Sequence, residues 1–73
     1  MNIYQLSING ELYLYQAVNY ETVVSIAEQE HLEEMRKDGF VSTMEDEINQ
    51  RIAFNTDMLE SVHCIGVLQN AHT

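Results

Sequence analysis

Two pairs of residues in this sequence have side chains that could do chemistry, and the first is Glu28 with His31. They stand three residues apart, which is the Glu-x-x-His spacing that carboxylate-bridged metal sites place on one face of a helix. Such a site needs a second copy of the motif on a helix and further inward-facing glutamates, and the predicted helices contain one copy. We therefore expect a half-exposed helical histidine at position 31, with no metal and no other cofactor.

His63 and Cys64 form the second pair, a base beside a thiol. Consecutive residues of a strand point to opposite faces, so the two side chains cannot meet if this segment is a strand. Cys64 is then predicted to be a small core residue. Because the sequence also lacks a Ser-His-Asp arrangement and a glycine-rich phosphate loop, we predict that the protein is not an enzyme.

Acidic side chains dominate the composition. The 73 residues include 12 aspartates and glutamates against 3 lysines and arginines, which gives a formal net charge of −9. Such a field repels nucleic acid and anionic membranes and attracts basic protein surfaces. Direct binding to nucleic acid or to a membrane is therefore not expected. The acidity serves either solubility alone or the binding of a basic protein surface.

A partner-binding site is predicted from charge and expected exposure. Acidic residues run down one predicted helix and begin the next, and two hairpin tyrosines are expected at the surface, where tyrosine is typical of protein interfaces. The predicted site residues are Glu30, Glu33, Glu34, Asp38, Glu45, Asp46, Glu47, Tyr13 and Tyr15. Coverage of the tyrosines by a helix is the alternative, and a homodimer through the same face or a hairpin edge is equally compatible with the sequence.

The hairpin that positions these tyrosines centres on Asn9-Gly10, the strongest short-range hairpin signal. A two-residue loop pairs Leu6 with Tyr13. A three-residue loop, with Gly10 as a bulge, pairs Leu6 with Leu12 and places Tyr13 and Tyr15 on the opposite face. That second register collects four apolar side chains on one face: Tyr4, Leu6, Leu12 and Leu14. Since burial of one face specifies register, the three-residue loop is favoured.

A helical period follows between Asn19 and Asp38, with Asn19 as the N-terminal cap. Gly39 is expected to end this helix, with Phe40 folding back onto it. The stripe expected to face the core is Val24, Ala27, His31 or Leu32, and Met35.

The spacing of Ser42 and Glu45 is that of a capping box, so a second helix is predicted to begin near Thr43. A break near Asn55 and a last strand over residues 60–68 are favoured, although helical spacing continues to Val62. The buried stripe of the second helix is expected to be Met44, Ile48 and Ile52.

The resulting fold class is α+β, in the order ββααβ. A small antiparallel sheet, formed by the N-terminal hairpin and the C-terminal strand, is packed by two helices. We expect one domain over residues 1–73, with residues 69–73 as a frayed tail.

In length, acidity and compactness, the whole chain resembles small phage-encoded regulators of bacterial RNA polymerase. The resemblance implies binding near the RNA exit region, with inhibition of initiation and with antitermination. Another nucleic-acid enzyme with a basic surface is a related partner. The alternative is a nucleic-acid mimic that inhibits a host nuclease, restriction enzyme or CRISPR effector. A cytoplasmic location is expected, because the chain has one cysteine and its start lacks the pattern of a signal peptide.

Overall fold

A computed structural model describes residues 1–68 and has the predicted ββααβ order and α+β class. The three strands form one antiparallel sheet in the order β2-β1-β3. The tail predicted over residues 69–73 lies outside the described residues. The elements are β1 (Asn2–Ile8), β2 (Glu11–Ala17), α1 (Tyr20–Lys37), α2 (Met44–Ala53), a π-helical turn (Phe54–Met58) and β3 (Leu59–Val67).

A two-residue loop closes the hairpin, so the predicted three-residue loop is wrong. Asn9 and Gly10 have φ values of 51° and 80°, the pair of left-handed residues that a type I′ turn requires. Leu6 therefore lies opposite Tyr13 and not opposite Leu12. The twist of a type I′ turn matches that of the strands, and this turn geometry determines the register.

Leucines and tyrosines of β2 consequently lie on the faces opposite to those predicted. Tyr13 and Tyr15 share the helix-covered face with Leu6, whereas Leu12 and Leu14 lie on the open face, where each is 67% exposed. Within residues 1–68 no helix packs against the open face, because α1 and α2 lie on the side of the core. The apolar pattern of β2 therefore does not report which of its faces is buried.

α1 begins as predicted, because the side chain of Asn19 accepts a hydrogen bond from the amide of Thr22 at 2.8 Å. Ala27 is buried as predicted, and the predicted Val24 packs partly buried against the core, whereas the fully buried neighbour Val23 was not predicted. Leu32 is also fully buried. The core cluster consists of Tyr4, Leu6, Ala17, Val23, Ala27 and Phe54.

The end of α1 has the backbone geometry that Gly39 predicts. Gly39 has a φ of 82°, and the amide of Phe40 donates to the carbonyl of Met35 at 2.9 Å. The side chain of Phe40 does not fold back, since it is 65% exposed, and the buried residue of this connection is Val41.

α2 begins where predicted, although its capping box lies one residue later than the predicted Ser42–Glu45 pair. Thr43 is the cap, and its hydroxyl accepts from the amide of Asp46 at 3.1 Å. The carboxylate of Asp46 accepts from the amide of Thr43 in return, at 3.2 Å. The α-helix ends at Ala53, yet the chain stays helical through the π turn, so the break predicted near Asn55 is wrong.

The predicted buried stripe of α2 is also wrong. None of its ten residues, all within the described part of the chain, is buried. Met44, Ile48 and Ile52 are 77%, 51% and 56% exposed. The opposite side of the helix faces α1, because Gln50 contacts α1 and Phe54, just beyond the end of α2, inserts into the core.

Cys64 is exposed, which contradicts its predicted place in the core. It pairs with Tyr4, whereas His63 pairs with Gln5 and lies on the opposite face. Only the first part of this edge strand packs against the core, through Leu59 and Val62. No helix within residues 1–68 has the length and apolar character needed to cross a membrane.

Candidate functional site

Glu28 and His31, the residues with metal-site spacing, hold α1 against the following helical segment. Glu28 accepts hydrogen bonds from Arg51 at 2.9 Å and from Asn55 at 2.7 Å. The Nε2 atom of His31 lies 3.1 Å from the amide oxygen of Gln50. Within residues 1–68 no group of three or more histidine, cysteine or acidic side chains could hold a metal ion.

The junction between α1 and α2 uses two of the three basic residues of the chain. Arg51 bridges Glu28 and Glu47, at 2.9 and 2.8 Å, and Arg36 contacts Glu47 at 3.2 Å. The hydrogen bond from Arg51, with help from Arg36, holds the pKa of Glu47 below its usual range. Glu47, which the sequence predicts as a partner-binding residue, therefore has an internal structural role.

Asp46, another predicted site residue, also has an internal role. Its carboxylate accepts from the amides of Ser42 and Thr43, each at 3.2 Å, and from the hydroxyl of Ser42 at 3.3 Å. Hydrogen bonds from the Ser42 amide and from Thr43 lower the pKa of Asp46. This carboxylate stabilises the start of α2, where the helix dipole also favours negative charge.

Four other acidic residues of the predicted partner-binding site are exposed and form no side-chain contact of this kind in the described structure. Residues 1–68 provide no side-chain hydrogen bond or ion pair to any of them, and all four project into solvent. Their charges are therefore available to a partner. They are Glu33, Glu34, Asp38 and Glu45.

A small pocket lies between the hairpin and α1, with a cavity volume of about 210 Å³. Tyr13 and Tyr15 contribute from β2, and Glu30 and Glu34 contribute from α1. Four of the nine predicted site residues therefore meet at one place. The sequence-based register puts the two tyrosines on the other face of the sheet, so it could not place them beside these carboxylates. The apolar part of the lining is formed by Ile8, Ala27, Phe54 and Met58.

Both pocket tyrosines donate hydrogen bonds to carboxylates. The hydroxyl of Tyr15 donates to Glu30, and that of Tyr13 donates to Glu11, each at 2.6 Å. Burial, followed by the bond to Glu30, raises the pKa of Tyr15 well above its usual range. The pKa of Tyr13 is raised mainly by its bond to Glu11. Both hydroxyls consequently remain protonated donors near neutral pH.

The exposed apolar side chains of α2 form a second surface, which we call the α2 stripe. It comprises Met44, Ile48 and Ile52, which stand one helical turn apart. The exposed carboxylate of Glu45 borders it in sequence. The sequence contains the signal for this surface, the i, i+4, i+8 spacing, but the same spacing is typical of a core-facing helix.

Fold and surfaces together define a small acidic α+β domain with an apolar helix face and a tyrosine-lined, carboxylate-rimmed pocket. Comparisons with protein-family models, with curated proteins and with solved structures find no match to this chain. The two surfaces and the charge of the chain are the features that bear on its function.

Proposed function

We propose that this chain is a non-enzymatic regulator that binds another protein at a basic and partly apolar surface of that protein. The observation that carries the proposal is the α2 stripe, a set of large apolar side chains that point away from the core. Exposed apolar patches bordered by polar residues are typical of protein interaction sites. The net charge of −9 selects for partners of opposite charge and speeds their association.

The way α2 is attached supports this proposal. Its inner side is held by Arg51 and by the contact of Gln50 with His31, so the outer apolar side chains are not needed to hold the helix. Full burial of such a side chain is worth roughly 1.5–3 kcal/mol. Leaving three of them exposed forgoes that stabilisation in the free protein and makes part of it available on binding.

The two side-chain pairs that the sequence singles out for chemistry have other places in the structure. Glu28 and His31 are engaged in contacts between helical segments. His63 and Cys64 lie on opposite faces of the sheet. Neither of these two pairs, both within residues 1–68, is assembled as a reactive site.

Bacterial RNA polymerase is the partner that we propose, with the bacterial cytoplasm as the place of action. The resemblance to phage-encoded regulators supports this choice, and so does the chemistry of the surfaces. The polymerase presents basic surfaces that meet phosphates, and an acidic protein complements such surfaces. Binding near the RNA exit region would displace the promoter-specificity factor, inhibit initiation and suppress termination.

The test is a binding titration of the chain with purified bacterial RNA polymerase at two salt concentrations. Glu33→Gln combined with Glu45→Gln should weaken binding at low salt, because it removes two exposed charges. Glu21→Gln combined with Asp57→Asn changes the net charge equally at other exposed positions and is the matched control. Ile48→Ser with Ile52→Ser should weaken binding at least tenfold at both salt concentrations, since about 1.4 kcal/mol corresponds to tenfold.

A second pair of variants controls for the loss of exposed apolar surface. Leu12→Ser with Leu14→Ser removes two leucines from the open sheet face and should leave binding unchanged. If the polymerase fails to bind, or if these controls weaken binding as much as the α2 variants do, the proposal is wrong. If the chain instead captures a nuclease or restriction enzyme, and excess duplex DNA displaces the chain from that enzyme, nucleic-acid mimicry is indicated.

A further inference from the structure

We propose that the pocket between β2 and α1 binds the guanidinium group of an arginine side chain that the partner presents. The inference rests on the proposed function, because the arginine belongs to the bound protein. The chemistry of the pocket can nevertheless be tested with small guanidinium compounds alone, so the two proposals can fail separately.

The size of the pocket fits one side chain. Its volume of about 210 Å³ lies below the roughly 300–1,000 Å³ that pockets for whole small molecules occupy. The floor is apolar, through Phe54, Ile8 and Met58, and it suits the aliphatic stem of a long side chain. The volume and the floor therefore favour an inserted side chain over a free metabolite.

The lining is chemically suited to a cation. Tyr13 and Tyr15 bring two aromatic rings to the pocket, and tyrosine rings attract cations at a distance of about 6 Å or less. Glu30 and Glu34 bring two carboxylates from consecutive turns of α1. Like charges at this spacing destabilise a helix by a few tenths of a kcal/mol. A cation between them would relieve that repulsion.

No arginine or lysine of the described chain supplies this cation. The ion pairs formed within residues 1–68 join Arg36 and Arg51 to Glu28 and Glu47, at the α1–α2 junction. Lys37, the third basic residue, is not among the residues that line the pocket. His31 does line it, but its Nε2 atom lies 3.1 Å from the amide oxygen of Gln50. We therefore assign the cation to another molecule.

Arginine fits the pocket better than lysine. A guanidinium group is flat, is less strongly hydrated than an ammonium group and stacks on aromatic rings. It also presents several N–H donors in a fixed fork, so it can reach two carboxylates at once. The hydroxyl of Tyr15 already occupies one oxygen of Glu30. The remaining acceptors are therefore spread over both carboxylates, and a planar guanidinium can donate to them while it stacks on a tyrosine ring, which an ammonium group cannot do.

The test follows the backbone amides of the ¹⁵N-labelled full chain by NMR during titration with N-acetyl-arginine methylamide. We expect saturable shifts centred on Tyr13, Tyr15 and the Glu30–Glu34 turn. The citrulline analogue has nearly the same shape without the charge and should bind at least tenfold more weakly. The lysine analogue should also bind more weakly than the arginine compound.

Two variants that change the charge equally distinguish the pocket from the general acidic field. Glu34→Gln removes a pocket carboxylate and should weaken arginine binding at least fivefold. Glu33→Gln is the control, because it neutralises the adjacent residue of the same exposed helix, which does not line the pocket. Equal effects of the two variants, or equal binding of the citrulline or lysine analogue, would overturn the proposal.

The polymerase titration separates this inference from the proposed function, with Glu34→Gln compared against Glu21→Gln, an exposed control position outside the pocket. If polymerase binds these two variants equally tightly, the pocket does not receive an arginine of the partner, and the proposed function stands. If neither variant nor the unmodified chain binds polymerase, the proposed function fails. Guanidinium binding that depends on Glu34 would then remain as a property of the pocket.

Discussion

α1 and α2 are neighbouring amphipathic helices, but they use their apolar side chains in opposite ways. α1 directs Val23, Ala27 and Leu32 into the interior, where all three are buried. α2 directs its apolar side chains into solvent and contacts α1 through polar and charged groups. The difference shows that apolar residues at helical spacing identify a face without specifying whether the chain itself or another molecule covers it.

This division separates stability from recognition within a very small molecule. The sheet and α1 hold the core, and the π turn adds Phe54 to it. α2 is attached to α1 by the ion pairs Arg51–Glu28 and Arg36–Glu47 and by the contact of Gln50 with His31. We therefore expect large losses of stability from substitutions in the first region and small ones from substitutions on the outer face of α2.

The largest effect is expected for Leu6→Ala. Leu6 is fully buried in the centre of the sheet, so its truncation removes apolar contacts and leaves a cavity. Such substitutions typically lower the free energy of unfolding by about 2–5 kcal/mol. Urea denaturation followed by circular dichroism measures this change. Leu12→Ala on the open face is the matched control and should change it by about 0.5 kcal/mol or less. Similar losses for both variants would contradict the observed hairpin register.

Several elements could be predicted because their signals are local. Asn9-Gly10 predicts a turn, Asn19 predicts the start of α1, and the β-rich segment after residue 59 predicts the third strand. Each signal depends on the conformations of a few adjacent residues. The order of elements, and with it the fold class, follows from such signals.

The wrong predictions concern which surfaces of the elements pack against each other, and local sequence signals do not determine this packing. The loop at Asn9-Gly10 was predicted one residue too long, so Tyr13 and Tyr15 were assigned to the wrong face. Cys64 was assigned to the core by its residue type, although no helix covers that end of β3. The pocket could not be predicted, because it depends on both the register and the packing of α1 over β2.

A smaller and pH-dependent effect is expected for Asp46→Asn, which weakens the cap that begins α2. The folded-state pKa of Asp46 lies below its ordinary value of 3.8, so the ionised carboxylate stabilises the folded state. This contribution is fully present above the ordinary value and is lost as the pH falls through the folded-state pKa. The difference in unfolding free energy between the original chain and the variant should therefore be constant from pH 7 to about 5 and shrink below about pH 4.

Denaturation at a series of pH values measures this difference, and Glu45→Gln in the same first turn is the control. Glu45 is exposed and forms no capping contact within the described residues. A difference that is already absent at neutral pH, or that grows on acidification, would contradict the capping role of Asp46. It would also weaken the view that polar contacts hold α2 in place.

The smallest effect on stability is expected for Ile48→Ser in the centre of the α2 stripe. Isoleucine and serine have similar helix propensities, and Ile48 is already 51% exposed, so the free energy of unfolding should change by about 0.5 kcal/mol or less. Val23→Ser makes a comparable change on the buried face of α1 and should cost about 2 kcal/mol or more. Thermal denaturation of the two variants compares the helices directly. Equal losses would mean that the α2 stripe belongs to the folding core, whereas an unchanged stability for Ile48→Ser together with weakened polymerase binding would assign the same residue to recognition.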